Sequence, residues 1–150
     1  MNIEEIEKLE NQFDISFPQD YTDILLNYPL SEDSEELISS YEDLKNINED
    51  IRENGYWEVT VPKNFWLIGL DGMGGGDFIN AEETELKVYI FDHACPPENM
   101  EDDGQLRPRL FKEHIKNMVE ADINYQNEEK LRKEKKRIAQ ENKKWWQFWL

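Results

Sequence analysis

The sequence predicts an α+β fold in which a central, mostly antiparallel sheet is flanked by helices. Apolar residues recur at helical spacing in the first 30 residues and again in residues 111–123. Between these segments lie short apolar runs in the order strand, glycine turn, strand, turn, strand. An antiparallel meander with helices before and after it belongs to the α+β class.

Three helices are predicted before the main strands. The first covers residues 3–13, where an apolar stripe follows Asn2 as the N-cap. The second has its stripe in residues 21–28 and ends at a proline. The third covers residues 41–51 and is closed by the Asn-Gly pair at 54–55.

The strands are predicted from two kinds of pattern. Residues 57–61 alternate between apolar and polar side chains, which predicts a strand with one face toward water. Residues 65–70 form a continuous apolar run, which predicts a buried strand, and extended segments are expected from Phe78 and over 86–91. The segment 95–105 has two prolines and several acids and is expected to be a loop.

The charge is strongly negative and unevenly distributed. The formal net charge is −17, and residues 126–150 contain eight Lys or Arg and four Glu, a net charge of +4. Residues 1–125 therefore carry −21. Such a field repels nucleic acid and attracts basic proteins. We therefore expect a basic protein partner and no nucleic acid partner.

Cysteine usage and hydropathy indicate a cytoplasmic protein. A single cysteine, Cys95, cannot form an internal disulfide. The first residues are acidic and lack the apolar core of a signal peptide. No apolar run approaches the roughly 20 residues that cross a bilayer, so no membrane span is expected.

Residues 126–150 are expected to form a basic helical extension of a domain that covers residues 1–125. The extension is rich in helix formers. Its apolar residues Leu131, Ile138 and Trp145 recur every seven residues, which makes only a narrow seam.

The extension ends in an aromatic cluster. Trp and Lys are common at membrane interfaces, but the acidic domain opposes adhesion to an anionic surface. Because exposed aromatic patches usually mark interfaces, we expect the cluster to dock on the domain or to mediate self-association, with a homodimer as one outcome. The residues concerned are Trp145, Trp146, Phe148 and Trp149.

The glycine-rich loop between Asp71 and Asp77 does not match a nucleotide-binding motif. A P-loop requires a Lys, and none lies between Asn64 and Leu86. A dinucleotide loop requires a third glycine where Asp77 stands, followed by a helix. Two carboxylates are too few for a calcium loop. We interpret the segment as a turn in which glycines supply positive φ angles, with no cofactor.

The cluster of Asp92, His93 and Cys95 does not meet the requirements for chemistry. Nucleophilic catalysis requires His and Cys within hydrogen-bond reach and an orienting group. Zinc requires about four ligands. We therefore predict no catalytic and no metal-binding residues, with an enzyme based on these three residues as the less favoured alternative.

Acidic residues on the predicted turns are the candidate partner-binding residues. Paired carboxylates act in acid–base catalysis only in a cleft that tunes their pKa values. On loops they are either simply solvated or form a contact surface for a basic protein. The candidates are Asp71, Asp77, Asp92, Glu98, Asp102 and Asp103.

Three motifs resemble the SUKH superfamily (Smi/Knr-type proteins). FPQDY at 17–21 is similar to the element that opens the family's second helix. FWLIGLDGMGGGDFI at 65–79 is similar to its glycine-rich signature, and VYIFDHA at 88–94 to its strand ending in Asp-His. The motifs occur in the family's order, across roughly residues 3–125.

The resemblance implies an α+β domain with a mostly antiparallel sheet flanked by helices, and a function without catalysis. Many bacterial members are immunity proteins, which neutralise toxins, often nucleases, delivered between competing cells. Other members, in eukaryotes, regulate cell-wall synthesis and signalling. A regulatory or scaffold module with an endogenous partner is therefore the alternative to an immunity protein.

Overall fold

A computed structural model describes residues 1–32 and 34–149, and within these ranges the chain forms five helices and four strands. The helices are α1 (Ile3–Phe13), α2 (Gln19–Leu26), α3 (Tyr41–Asn54), α4 (Asp103–Leu106) and α5 (Phe111–Trp149). The strands are β1 (Phe65–Leu70), β2 (Gly76–Asn80), β3 (Lys87–Phe91) and β4 (Arg109–Leu110). The predicted α+β class is confirmed.

The four strands form one antiparallel sheet in the order β1-β2-β3-β4. Each strand pairs with the next in sequence, so the predicted meander is confirmed. The glycine-rich loop connects β1 to β2, and a bulge between Leu67 and Gly69 shifts the register just before that loop. The same end of the sheet includes the end of β3, because Gly76 pairs with Phe91.

Both faces of the sheet are buried. Alternate residues of a strand point to opposite faces, so Trp66, Ile79 and Val88 share one face, where they pack with buried residues of α1, α2 and α5. Leu67 and Phe78 share the other face and pack with residues of α3 and α4. The sheet is therefore a rigid layer from which the connecting loops project.

The outer edge of β1 is covered by a short segment and by one side chain. The Ile38 N–H donates to the Ile68 carbonyl at 2.9 Å. Further along the edge, Asn48 Oδ1 accepts from the Leu67 N–H at 2.9 Å, and Asn48 Nδ2 donates to the Leu67 carbonyl at 3.1 Å. An open strand edge pairs readily with other chains, and these contacts close it.

The strand predicted over 57–61 is wrong, because these residues contain a tight turn. Tyr56 and Val59 exchange two backbone hydrogen bonds of 2.9 Å each. Trp57 and Glu58, between them, have φ angles of 46° and 67°, which is the sign pattern of a type I′ turn. Val59 and Val61 are nevertheless buried. The apolar–polar alternation thus identified Val59 and Val61 as core residues correctly, but they are buried without pairing in a strand.

The segment 95–105 is a loop as predicted up to Asp102, but its last three residues belong to the one-turn helix α4. Helix α5 is 39 residues long and continuous. Its last hydrogen bond to the preceding domain joins Gln126 Nε2 to Ser31 Oγ at 3.1 Å. Over the described part of the chain, no helix combines the length and apolarity that a bilayer crossing requires.

Candidate partner-binding surface

Three connections meet at the end of the sheet where the glycine-rich loop lies: the 56–59 turn, the β1–β2 loop and the turn that follows β3. We call their exposed surface the Trp57 face, which consists of Trp57, Asp71, Met73, Asp92 and His93. Trp57 is 52% exposed and Met73 is 78% exposed. Large apolar side chains displayed among acids are typical of a protein contact site.

The Trp57 side chain is exposed but firmly held. Its indole N–H donates to the Gly74 carbonyl at 2.7 Å, and the Tyr56 hydroxyl donates to the same oxygen at 2.9 Å. One side of the indole lies against the His93 ring, with centroids 5.1 Å apart and planes tilted by 35°. These contacts fix the orientation of the exposed ring before any partner arrives.

Glycine is required where the β1–β2 loop closes on the indole. Gly74 has a φ angle of 102°, and a Cβ there would lie 2.9 Å from the Trp57 ring and 3.2 Å from the His93 ring. A Cβ on Gly75 would lie 2.8 Å from the Phe91 carbonyl oxygen and collide with the Asp71 carboxylate. The interpretation of the loop as a turn built on glycine is confirmed, and its second role is to support Trp57.

Asp71 and Asp92 lie in the two loops that contact the indole, through Gly74 and His93 respectively, and each carboxylate stabilises its own loop. Asp71 Oδ1 accepts from the N–H groups of Met73 and Gly75 at 2.8 and 2.9 Å. Asp92 Oδ1 accepts from the Ala94 N–H at 3.0 Å. Both carboxylates are therefore ordered, and each has a second oxygen with which to accept from a basic partner.

The pKa of the Tyr56 hydroxyl is raised mainly by burial, with a smaller effect from nearby negative charge. Burial raises the pKa of its hydroxyl above the ordinary value, the hydrogen bond that involves Trp57 lowers it, and the charges of Asp71 and Asp77 raise it further. The negative charges of Asp71 and Asp77 thus reach the Tyr56 hydroxyl at the base of the Trp57 face.

Asp77 lies inside the fold, although the sequence placed it among the contact residues. Its carboxylate is 2.8 Å from His114 Nε2 on α5, and the two side chains are 16% and 11% exposed. Asp77 points to the face of the sheet opposite Phe78. Sequence reasoning missed His114. The only signal was its position on the inward face of α5, between Phe111 and Met118.

The remaining predicted acids belong to the 95–106 segment. Asp102 is half-buried and caps α4, because its Oδ1 accepts from the Gln105 N–H at 3.2 Å. Glu98 and Asp103 are exposed. Asp103 lines a shallow groove beside Tyr89, where burial, the Glu83 carboxylate and the charge of Asp103 raise the pKa of the Tyr89 hydroxyl.

The structure gives Cys95 and His93 different neighbours. The exposed Cys95 Sγ lies 3.5 Å from Gln105 Oε1, whereas the His93 ring packs on Trp57. In residues 1–32 and 34–149, no group of three or more His, Cys, Asp or Glu side chains is arranged to hold a metal ion.

The aromatic cluster lies at the far end of α5. Its exposed fractions range from 69% for Trp145 to 93% for Phe148. The rings of Trp145 and Trp149, one turn apart, stack at 6.5 Å.

No family model, curated protein or solved structure matches this chain. The resemblance to the SUKH superfamily stays a prediction based on the three motifs.

Proposed function

We propose that the protein is a cytoplasmic immunity protein that binds and neutralises a cognate bacterial toxin without catalysis. The toxin is a basic protein such as a nuclease, and the Trp57 face makes the central contact. The observation that carries this assignment is an exposed, firmly held indole whose two supporting loops each contain an ordered carboxylate, in a domain of net charge −21. The resemblance to a family rich in immunity proteins supports the same function.

The physical chemistry of interfaces favours this arrangement. Binding energy concentrates in a few central residues, and Trp is enriched among them. An aromatic side chain that is already immobile loses little entropy on binding. Carboxylates in the adjacent loops accelerate association with the basic cleft of a nuclease and would compete there with the phosphates of its substrate.

The test is binding between the full-length chain and the toxin encoded beside its gene. We expect a salt-sensitive complex that weakens about 30-fold on Trp57→Ala, as for a central aromatic anchor worth about 2 kcal/mol. Asp71→Asn with Asp92→Asn preserves the loop hydrogen bonds and should reduce mainly the association rate and its salt dependence. Glu7→Gln with Glu113→Gln, exposed acids on α1 and α5, removes the same charge elsewhere and is the control.

Different results would contradict different parts of the proposal. If the wild-type chain binds no neighbouring toxin, it is not an immunity protein of this kind. If it binds but Trp57→Ala matches the control, the contact lies elsewhere. Gene deletion separates the regulatory alternative, because loss of an immunity protein matters only when the toxin is present, whereas loss of a regulator alters cells growing alone.

A further inference from the structure

The part of α5 beyond its last contact with the domain forms a free helix. We call residues 127–149 the α5 extension. At 1.5 Å per residue it is about 34 Å long, and all of its residues are exposed except the half-buried Glu129. A helix that packs on nothing in its own chain requires another source of stability or a function for its surface.

The α5 extension is amphipathic in its second half. At 100° per residue, Leu131, Ile138, Trp145 and Trp149 lie within about 40° of one another, which makes one apolar stripe. Trp146 and Phe148 flank this stripe and widen it at the end of the helix. Six of the eight cations lie on the opposite side, namely Arg132, Lys133, Lys136, Arg137, Lys143 and Lys144.

This geometry disfavours docking of the aromatic cluster on its own domain. The stripe is about 160° around the helix from Asp122, which faces the domain and accepts from Ser31. Trp145 lies 19 residues beyond Gln126, or about 29 Å along the axis. A continuous helix cannot bring this surface back to the domain.

Helix pairing with a second copy is also disfavoured. A two-stranded coiled coil needs apolar residues at both core positions of the heptad. With Leu131 and Ile138 at one position, the other is occupied by Glu134 and Glu141, which form ion pairs with Arg137 along the same helix. In the alternative register it is occupied by Lys135 and Asn142, so both positions are apolar only in the last heptad, at Trp145 with Phe148 or Trp149. Two such extensions would also bring together like net charges of +4.

We propose that the end of the α5 extension binds the surface of an anionic lipid bilayer, with the aromatic cluster at the level of the headgroups and the cationic side toward lipid phosphates and solvent. A helix with Trp and Phe on one side and Lys and Arg on the other is the usual form of an interfacial anchor. Clustered Lys and Arg add attraction to anionic lipids.

The length of the helix removes the electrostatic objection to this assignment. The domain carries −21 and would itself be repelled by an anionic surface. The aromatic cluster is about 29 Å from the domain contact at Gln126, and the Debye length at physiological salt is about 8 Å. The charge of the domain is therefore screened at the cluster. Lipid binding of this kind is independent of the proposed toxin contact.

Vesicle co-sedimentation of the full-length chain tests this assignment. We expect binding to phosphatidylcholine vesicles that contain phosphatidylglycerol, weaker binding to phosphatidylcholine alone, and a loss of affinity as salt is raised. Trp145, Trp146 and Trp149 are three of the five tryptophans. In a Trp57→Phe background the one tryptophan outside the extension is the buried Trp66. A blue shift of the tryptophan fluorescence would therefore show that the aromatic cluster has entered the bilayer surface.

Two pairs of substitutions distinguish the aromatic end from the rest of the stripe. Trp145→Ala with Trp149→Ala should weaken vesicle binding by at least about tenfold, because it removes most of the inserted area. Leu131→Ala with Ile138→Ala, on the same stripe nearer the domain, is the matched control and should change it by less than about threefold. Lys143→Glu with Lys144→Glu should abolish the preference for anionic lipid.

Three outcomes would overturn the assignment: no binding of the wild-type chain to the anionic vesicles, equal binding by the double tryptophan variant, or a solution dimer that is lost in the Leu131 and Ile138 variant. The last result would show that a second copy covers the stripe. Because the substituted side chains are exposed, a far-ultraviolet circular dichroism spectrum should match the wild type in every variant.

Discussion

At the edge of β1, the Asn48 side chain makes the hydrogen bonds that a neighbouring strand makes elsewhere in the sheet. It is 1% exposed and satisfies both backbone groups of Leu67. A buried polar group left without a partner costs about 1–3 kcal/mol. The side chain is therefore as much a part of the sheet as the residues of the strands.

We expect Asn48→Leu to lower the free energy of unfolding by about 2–3 kcal/mol, because it leaves the Leu67 N–H and carbonyl unpaired. Asn48→Asp keeps an acceptor for the N–H but places a carboxylate beside the carbonyl, so it should also destabilise. Urea unfolding measures both. Asn46→Leu, an exposed change on the same helix, is the control; a loss no larger than that of the control would show that the edge does not depend on Asn48.

The Asp77–His114 contact is expected to contribute to stability and not to partner binding. A charge-assisted hydrogen bond that is mostly shielded from water gives a coupling of about 1 kcal/mol. A double-mutant cycle with Asp77→Ala and His114→Ala, followed by urea unfolding, measures it. Additive effects would mean that the contact is energetically neutral, and reduced toxin affinity in Asp77→Asn would return Asp77 to the contact surface.

At the scale of secondary-structure elements, the sequence predicted α1, α2, α3, the strands β1 to β3 and the first part of α5. These elements have long or regular apolar patterns, which report burial directly. It could not place β4, which is two residues long, or the pairing of His114 with Asp77, which are 37 residues apart. At 57–61 the apolar–polar alternation led to the wrong prediction of a strand, because Val59 and Val61 are buried without a strand partner.

The 56–59 turn leads to a prediction about backbone strain. Glu58 has a φ of 67°, and a left-handed conformation costs a non-glycine residue about 1 kcal/mol. Type I′ turns favour glycine at this position, so Glu58→Gly should raise the free energy of unfolding by about 0.5–1 kcal/mol while Trp57 keeps its position. Thermal unfolding measures the gain. Glu7→Gly, within α1, is the matched control and should destabilise by about 1 kcal/mol. A loss of stability in both variants would show that the turn is unstrained.

At the scale of the whole molecule, charge and shape divide the protein into two parts that suit different surfaces. An acidic domain displays an ordered indole, and a basic helix carries an aromatic cluster away from it. The negative field of the domain and the positive field of the α5 extension act separately, because more than three Debye lengths, about 8 Å each, lie between the aromatic cluster and the domain contact at Gln126. The charge distribution is therefore compatible with both proposed contacts, a basic protein at the domain and an anionic lipid surface at the end of the helix.

The domain is expected to lose stability at alkaline pH because folding raises the pKa of several tyrosine hydroxyl groups. Burial is the first cause of a raised pKa in four tyrosines: Tyr21, Tyr28, Tyr56 and Tyr89. In the unfolded chain a tyrosine ionises near pH 10, whereas in the folded chain these groups keep their protons to higher pH. Above about pH 10 the native state therefore binds more protons than the unfolded state, and stability decreases as pH rises. Below that pH the contribution is fully present.

Tyr21 provides the sharpest test, because it is completely buried and its hydroxyl accepts from the Trp66 indole N–H at 3.2 Å. Tyr21→Phe should cost about 1 kcal/mol at neutral pH through the lost hydrogen bond. Above pH 10 it should reduce the decline of stability by up to about 1.4 kcal/mol per pH unit. Urea unfolding from pH 7 to pH 12 measures both effects. Tyr125→Phe, exposed on α5, is the matched control; if the Tyr21→Phe curve ran parallel to that of the wild type throughout, burial of this hydroxyl would not be a source of the alkaline instability.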